Sequence, residues 1–193
     1  MDKRRISEFV TFVPGINPTR IEKRFGIIDI NYYDQASFDQ DFNHKDGFID
    51  ETISNSITEG ISLESGDVVI SNAMQIATIV GVANSGKIPS LNFTKVEFSS
   101  EGLDKLYFIY LFNAYSDVRR QKERELQGTG SILRIPIKAL NEIVVPIVSL
   151  EQQHKIGKAY NEMIKTQSKL NKYAALMEQF VGTVLEENLK EKK

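Results

Sequence analysis

The feature that most constrains the fold of this chain is a heptad repeat in residues 149–193. Apolar side chains recur there at alternating steps of four and three residues, which indicates a coiled coil rather than a generic amphipathic helix. One position of the repeat is occupied by Ile156, Met163, Leu170, Met177 and Val184, and the other by Tyr160, Gln167, Ala174, Val181 and Asn188. A helix over residues 151–189 would be a rod of about 58 Å, which cannot bury this seam against itself. The repeat therefore predicts dimerisation through these residues, between two copies of the chain.

The start of this helix is also marked in the sequence. Ser149 and Gln152 have the spacing of a capping box, in which the serine hydroxyl accepts a hydrogen bond from a first-turn amide. The polar Gln167 within the seam is suited to fixing the register of paired helices. The alternative is that the helix packs along its own domain, and the pattern alone leaves that open.

Residues 1–148 have a different composition. They hold all five prolines and most of the glycines, and their apolar runs are short. Alternating or β-branched runs predict strands at residues 24–30, 67–70, 75–82 and 90–98, and helical spacing predicts one helix over about 101–126. We therefore expect an α+β fold, with a globular domain of short strands and helices over residues 1–148 and a long helix over 149–193.

The composition disfavours several classes of function. The absence of Cys excludes disulfides, thiol catalysis and thiolate metal sites, and two histidines offer little acid–base material. No serine lies in a Gly-x-Ser-x-Gly elbow. We therefore predict no catalytic site, no metal and no cofactor. No apolar stretch approaches the roughly 18 residues of a membrane span, and the N-terminus lacks a secretion signal, so we expect a cytoplasmic protein.

Two segments approximate known ligand-binding motifs. Gly81–Ile88 follows a predicted strand and resembles a phosphate-binding P-loop, but Ile88 replaces the Mg²⁺-binding hydroxyl and Pro89 interrupts the expected helix. We expect a hairpin-like loop there. Residues 39–50 open like a calcium loop but have His44 at the turn-glycine position, which predicts a polar surface loop instead.

The charge is unevenly distributed around a net value of −2. Residues 1–24 carry six Lys or Arg against three acids, and residues 119–138 carry six against two. Residues 29–67 carry ten acids against Lys45 alone. A DNA ligand would require the basic segments on one face and the acidic segment turned away from it. The alternative is an ordinary solvated surface, and charge alone does not decide between them.

Taken in order, five stretches resemble one half of the DNA-specificity (S) subunit of type I restriction-modification systems. They are Phe25–Ile30, Leu63–Ser71, Ile79–Gly81 with Gly86, Gln127–Ser131 and Ile143–Ile156. In the last stretch, an apolar strand leads into a motif similar to the family's Pro-Leu-x-x-Gln-x-x-Ile, with Val148 and Ser149 where prolines are usual. The single recognition domain and single long helix resemble the half-size members, which pair through their helices.

The resemblance implies a non-catalytic reader of double-stranded DNA. Two target recognition domains, held apart by paired helices, would each contact one half of a split DNA site, and a homodimer would read an inverted repeat. The family's partners are a methyltransferase (M) subunit, which brings S-adenosylmethionine, and a restriction (R) subunit, which translocates DNA and cleaves it. Neither activity is expected in this chain.

Two sets of side chains are the candidates for DNA contacts. Phosphate contacts are expected from the basic residues Arg20, Lys23, Arg24, Lys87, Arg119, Arg120, Lys122 and Arg134. The glycine turn that includes Thr129 and Ser131 is expected to bring its backbone close to a phosphate. Base-edge contacts are expected from the loop residues Asn72, Gln75, Asn84 and Ser85. For each of these four, the alternative is a turn residue that bonds its own backbone.

A second function remains open at this point. A regulatory or decoy protein with the same fold would bind the methyltransferase subunit without productive DNA reading. The acidic stretch 29–67 motivates this alternative, because it opposes binding to a polyanion.

Overall fold

The structure is a computed structural model that describes residues 2–17, 31–43, 62–99, 101–128 and 133–190. Eight strands are assigned in these residues, and they are β1 Asp2–Arg5, β2 Val10–Pro14, β3 Tyr32–Tyr33, β4 Val68–Ser71, β5 Ile76–Ile79, β6 Ile88–Pro89, β7 Phe93–Phe98 and β8 Val144–Ile147. The α-helices assigned there are α1 Gln35–Phe42, α2 Lys105–Asn113, α3 Ser116–Arg124, α4 Ile137–Glu142 and α5 Leu150–Lys190. The mixed α and β architecture with a long C-terminal helix confirms the expected fold class.

The centre of the fold is a four-stranded antiparallel sheet in the order β2-β7-β4-β5. Val68 of β4 lies opposite Val96 of β7 on one side and Ile79 of β5 on the other. Two smaller sheets flank it, one formed by the antiparallel pair β1 and β8 and the other by the parallel pair β3 and β6. The strand predictions for residues 67–70, 75–82 and 90–98 are confirmed in β4, β5 and β7.

Both faces of the central sheet are covered, which explains why β4 is buried along its whole length. Val68 and Ile70 face a core that includes the apolar residues of α2, among them Phe108 and Phe112. Val69 points to the opposite face and packs in a second core that includes a residue of α1, and its other members are Tyr33, Phe38, Leu63, Val80 and Phe93. A strand buried on both faces reads as a continuous apolar run, as Val68–Ile70 does.

The prediction of one helix over residues 101–126 is wrong, because the structure has two helices that meet at Ala114 and Tyr115. The side-chain amide of Asn113 at the end of α2 exchanges two hydrogen bonds, of 2.7 and 2.8 Å, with the backbone of Ala77 in β5. The helix ends where this side chain ties it to the sheet. The change of direction turns Val118 and Lys122 of α3 toward the core.

Among the residues that the structure describes, the long helix α5 packs against its own domain in its first half. Gln153 is buried and its side chain bonds the backbone of Gly102, Asp104 and Val148. Tyr160 lies edge-on to Tyr110 at 5.6 Å between ring centroids. Further along the helix, the Ser168 hydroxyl donates a hydrogen bond to the backbone oxygen of Asn43. Every residue from 169 to 190 is exposed.

The start of α5 agrees with the predicted cap, since the Gln152 amide donates to the Ser149 hydroxyl at 3.4 Å. In the part of the chain that the structure describes, no helix combines the length and the apolar character needed to cross a bilayer.

Candidate nucleic-acid interface

Two turns and a β-bridge that are far apart in sequence meet at one end of the central sheet. The turn Asn72–Gln75 follows β4, the turn Ser90–Asn92 precedes β7, and a bridge pairs Gln127 with Arg134. We call these three segments the turn cluster. They bring three of the predicted DNA-binding residues, Asn72, Gln75 and Arg134, into one region of the surface.

Hydrogen bonds of side chains hold the turn cluster together. Asn72 donates to the Leu91 carbonyl at 3.2 Å and accepts from the Thr94 hydroxyl at 2.9 Å. The guanidinium of Arg134 donates to Oδ1 of Asn92 at 2.8 Å. The backbone oxygen of Asn92 also accepts a hydrogen bond from the backbone N–H of Asn72 at 2.9 Å. Asn72 thus joins two turns, and its side-chain amide group is already hydrogen-bonded within the protein.

The outer surface of the turn cluster combines polar and apolar side chains. Asn92 and Arg134 are exposed, and so are the apolar side chains of Met74, Leu91 and Leu133. Amide and guanidinium groups are the usual partners of base edges, and apolar groups contact the thymine methyl. The turn cluster therefore exposes side-chain types that contact bases in other proteins. The exposed Asn92 was not among the sequence candidates, and its position between two bonded turns could not be read from local sequence.

The backbone of Gln75 adopts an unusual conformation within this cluster. Its φ is +57°, the left-handed region that non-glycine residues seldom occupy. Its amide donates to the Ser71 carbonyl at 2.7 Å, which closes the turn. Its carbonyl oxygen accepts a hydrogen bond from Nζ of Lys122 at 2.8 Å. The turn is therefore held from both sides of Gln75.

Lys122 does not lie on the protein surface, unlike the phosphate contact expected from sequence. Its side chain is buried beneath the turn, where Nζ also donates to the Phe112 carbonyl at 2.6 Å and lies 4.0 Å from the Phe112 ring centroid. Burial lowers the pKa of Lys122 to about 8, and the nearby Arg119 guanidinium acts in the same direction. A buried ammonium cannot neutralise a DNA phosphate, so Lys122 leaves the set of proposed phosphate contacts.

Arg119 and Arg120 on the same helix are exposed, as a phosphate contact requires. The Arg120 guanidinium lies 3.7 Å from the Asp117 carboxylate, a loose pair on the surface that is worth little energetically. Helix α3 therefore presents three arginines, Arg119, Arg120 and Arg124, to solvent and one lysine to the core.

Asn84 is fully buried, which also differs from the expectation. Its amide donates to Oδ1 of Asp41 at 2.8 Å and to the Ser37 carbonyl at 3.2 Å. Asp41 further accepts from the Tyr33 hydroxyl at 2.7 Å, and burial next to this carboxylate strongly raises the pKa of Tyr33. Asn84 joins a loop to α1 and is unavailable to a base edge.

The segment that resembled a P-loop has a structural role of the same kind. The Gly81 amide donates to Asp41 at 3.0 Å, and Lys87 Nζ donates to the Ser37 hydroxyl at 2.9 Å. The segment leads into strand β6 rather than a helix. Ser85 and Lys87 are half-buried here. The amide and ammonium that a P-loop offers to phosphates are directed toward α1.

The calcium-loop segment is helical at its start, since Asp39 and Asp41 belong to α1 and Asp41 is buried. The expectation of a surface loop is therefore wrong for these residues, and His44 lies outside the described residues. Within the part of the chain that the structure describes, no group of three or more metal-ligating side chains is found. The predicted strand at 24–30 and five of the candidate DNA contacts also lie outside it, namely Arg20, Lys23, Arg24, Thr129 and Ser131.

The exposed half of α5, residues 169–190, carries a broad apolar surface. The heptad residues Leu170, Met177, Val181 and Val184 are exposed there. Five further large apolar side chains are exposed at positions outside the predicted seam, namely Tyr173, Leu176, Phe180, Leu185 and Leu189. In the first half, Ile156 and Met163 are exposed while Tyr160 packs on its own domain, so Tyr160 is unavailable to a partner helix. The first half of α5 therefore packs partly on its own domain, while the second half exposes its apolar side chains.

Three solved structures are similar to this fold. The S subunit of the type I restriction-modification system from M. genitalium aligns with a TM-score of 0.54 and 15% identity, over 92% of this chain and 41% of that one. A chain from a structure of complex assembly and conformational transition in the type I R-M system aligns with a TM-score of 0.59 and 16% identity, over 95% and 43%. The HsdS subunit from Thermoanaerobacter tengcongensis aligns with a TM-score of 0.52 and 17% identity, over 90% and 39%.

The chain therefore has the fold of a type I restriction-modification S subunit along most of its length. It spans about two fifths of the length of these solved chains. No protein-family model and no curated protein matches it in sequence.

Proposed function

We propose that this chain is a non-catalytic DNA-specificity subunit of a type I restriction-modification system. The observation that carries the proposal is the fold, which aligns with S subunits over 90–95% of the chain. The turn cluster supports DNA reading, because it gathers exposed amide, guanidinium and apolar groups on rigidly bonded turns. Arg119 and Arg120 supply exposed positive charge for phosphate contacts.

The proposal includes self-association through the exposed half of α5. This half is a stretch of exposed helix, residues 169–190, with nine large apolar side chains exposed among them. A contiguous apolar surface of this kind marks a protein interface. The partner is a second copy of the chain, because Leu170, Met177, Val181 and Val184 of this half continue the coiled-coil repeat of the helix.

An antiparallel pair of such helices sets the distance between the two recognition domains. If residues 169–190 of both copies overlap fully, the shared stretch is about 33 Å long. Each domain docks on residues 150–168 beyond this stretch, so the domain centres lie about 60 Å apart along the helix axis. The proposed target is an inverted repeat with two separated halves.

The remaining partners follow from the proposed role. The methyltransferase (M) subunit contributes S-adenosylmethionine and modifies a base in the site that this chain selects. The restriction (R) subunit contributes translocation and cleavage. In this assignment the chain supplies only the recognition of the DNA sequence.

Selection from a random-sequence DNA duplex pool tests the proposal. The full chain is purified together with its M subunit, and the enriched duplexes are sequenced. The expected result is a stable complex that enriches a motif with two separated halves. A stable complex that enriches no motif would support the regulatory alternative, and the absence of both complex and motif would refute the specificity-subunit assignment.

A further inference from the structure

We infer that Lys122 is a positioning residue for DNA reading, which holds the Gln75 turn in its left-handed conformation from inside the protein. The inference rests on the proposed function, because it assigns a role to a side chain that never reaches the DNA. It differs from the role that sequence alone indicates for a lysine in a basic segment.

The geometry around Nζ carries the inference. The ammonium is in hydrogen-bond contact with the Gln75 and Phe112 carbonyls, at 2.8 and 2.6 Å, and lies over the Phe112 ring. Among the described residues, no carboxylate lies within ion-pair distance of it. Phe112 belongs to the last turn of α2, where unpaired carbonyls carry partial negative charge. The charge is thus directed at the end of a helix and at one carbonyl of the turn.

The turn needs such support because Gln75 has a side chain. In the left-handed region the Cβ atom is crowded by the backbone, which glycine avoids and glutamine does not. Gln75 is the one non-glycine residue of the described chain with a positive φ. A strained conformation persists only when its surroundings hold it. The hydrogen bond from Lys122 is such a restraint, and it acts on the carbonyl of the strained residue itself.

The restraint connects the rigid helices to the DNA-facing side of the turn. The start of β5 is also tied to α2 through Asn113 and Ala77, so the chain leaving the turn is fixed to the helical layer. On the other side, Asn72 is bonded to Leu91 and Thr94. Loss of the Lys122 bond would therefore release the turn at one point only, leaving the sheet and the helices in place.

A matched pair of lysine variants tests the inference. Lys122→Met removes the bond under the turn. Lys105→Met removes an exposed lysine that donates to the Gly66 carbonyl at 2.7 Å, at the opposite end of β4. Each variant, with its M subunit, is used to select from a random-sequence duplex pool. The enriched duplex is then compared with a scrambled duplex in direct binding.

For K122M we expect about tenfold less preference for the selected over the scrambled duplex, with an unchanged salt slope for the scrambled duplex. For K105M we expect the wild-type preference. A lost phosphate contact would instead weaken both duplexes equally and lower the salt slope by about one. That result, or a K122M preference equal to that of the wild type, would overturn the inference.

A double-mutant cycle separates positioning from general stability. Gln75→Gly places glycine where the left-handed backbone is not strained. The loss of preference caused by K122M should therefore be smaller in the Q75G background than in the wild type. Equal losses in the two backgrounds would contradict the proposed coupling.

Wild-type protein provides a measurement that does not depend on folding of the variants. The Nζ protons of Lys122 should exchange slowly with water in NMR spectra, both without DNA and with the selected duplex bound. Fast exchange, or a contact of Nζ with a phosphate in the complex, would refute the inference. If the wild-type complex selects no motif, the proposed function fails. If the wild-type complex selects a motif and K122M keeps the wild-type preference, only this inference fails.

Discussion

Gly157 of α5 lies so close to α2 that a Cβ atom at that position would stand 2.6 Å from the backbone nitrogen of Tyr107. The neighbouring backbone carbon of Leu106 would be 2.7 Å away. Backbone atoms cannot move aside as a flexible side chain can. The glycine therefore sets the distance at which the long helix docks on its own domain.

Gly157→Ala should destabilise the protein by about 1–3 kcal/mol, because overpacking forces the two helices apart. Gly182→Ala is the matched control in the same helix, since a Cβ there meets nothing within 4 Å. This control should gain up to about 1 kcal/mol from the higher helix propensity of alanine. Urea denaturation of both variants measures the difference, and equal effects would contradict the close-packed docking.

Replacing Leu170 and Met177 with Glu should abolish self-association, because both side chains lie on the exposed apolar face of α5. Two charges in the seam would have to be buried without partners. Light scattering gives the mass of the protein in solution. Ala175→Glu with Gln179→Glu adds the same charge on the opposite side of the helix and should leave the dimer intact. An unchanged mass for the Leu170 and Met177 variant would refute the coiled-coil role.

Replacing Arg119 and Arg120 with Ala should weaken binding to all DNA sequences alike. Phosphate contacts carry no sequence information, and each one lost lowers the salt slope of binding by about one. Titrations at several salt concentrations measure that slope. Removing two exposed lysines of α5, Lys158 and Lys172, serves as a control and should change neither affinity nor slope. Insensitivity to the arginine change would mean that α3 does not face the DNA.

The pH dependence of stability should report the burial of Lys122. Its pKa is lowered from 10.5 to about 8, so between these values the folded protein binds fewer protons than the unfolded chain. Stability relative to Lys122→Met should therefore rise with pH through this window, by up to about 1.4 kcal/mol per pH unit. Chemical denaturation of both proteins from pH 7 to 9.5 tests this. A constant difference would show that Lys122 is not buried as an ammonium.

The sequence was informative where structure depends on local pattern. The β-branched run Val68–Ile70 and the alternating run ending at Phe98 predicted strands correctly, because side-chain period is a local property. The long helix after Ser149 was predicted from the same kind of evidence. The break at Tyr115 was missed, since the apolar spacing continues across it and the cause is the bond between Asn113 and the distant Ala77.

The candidate site was predictable only in part, because its geometry depends on distant partners. Asn84 is a loop residue by sequence, and its burial follows from Asp41, 43 residues away. Lys122 is one basic residue in a basic segment, and its position follows from Gln75, 47 residues away. Asn72 and Arg134 were chosen separately, and their meeting through Asn92 depends on the pairing of the strands between them.

The measurement that tests the central claim most directly is a methylome. The chain is expressed together with its M subunit in a host that lacks type I modification, and the modified bases are mapped by long-read sequencing. The account predicts a new modified motif with two inverted, separated halves. The absence of any new modified motif, despite a stable complex between the two proteins, would contradict it.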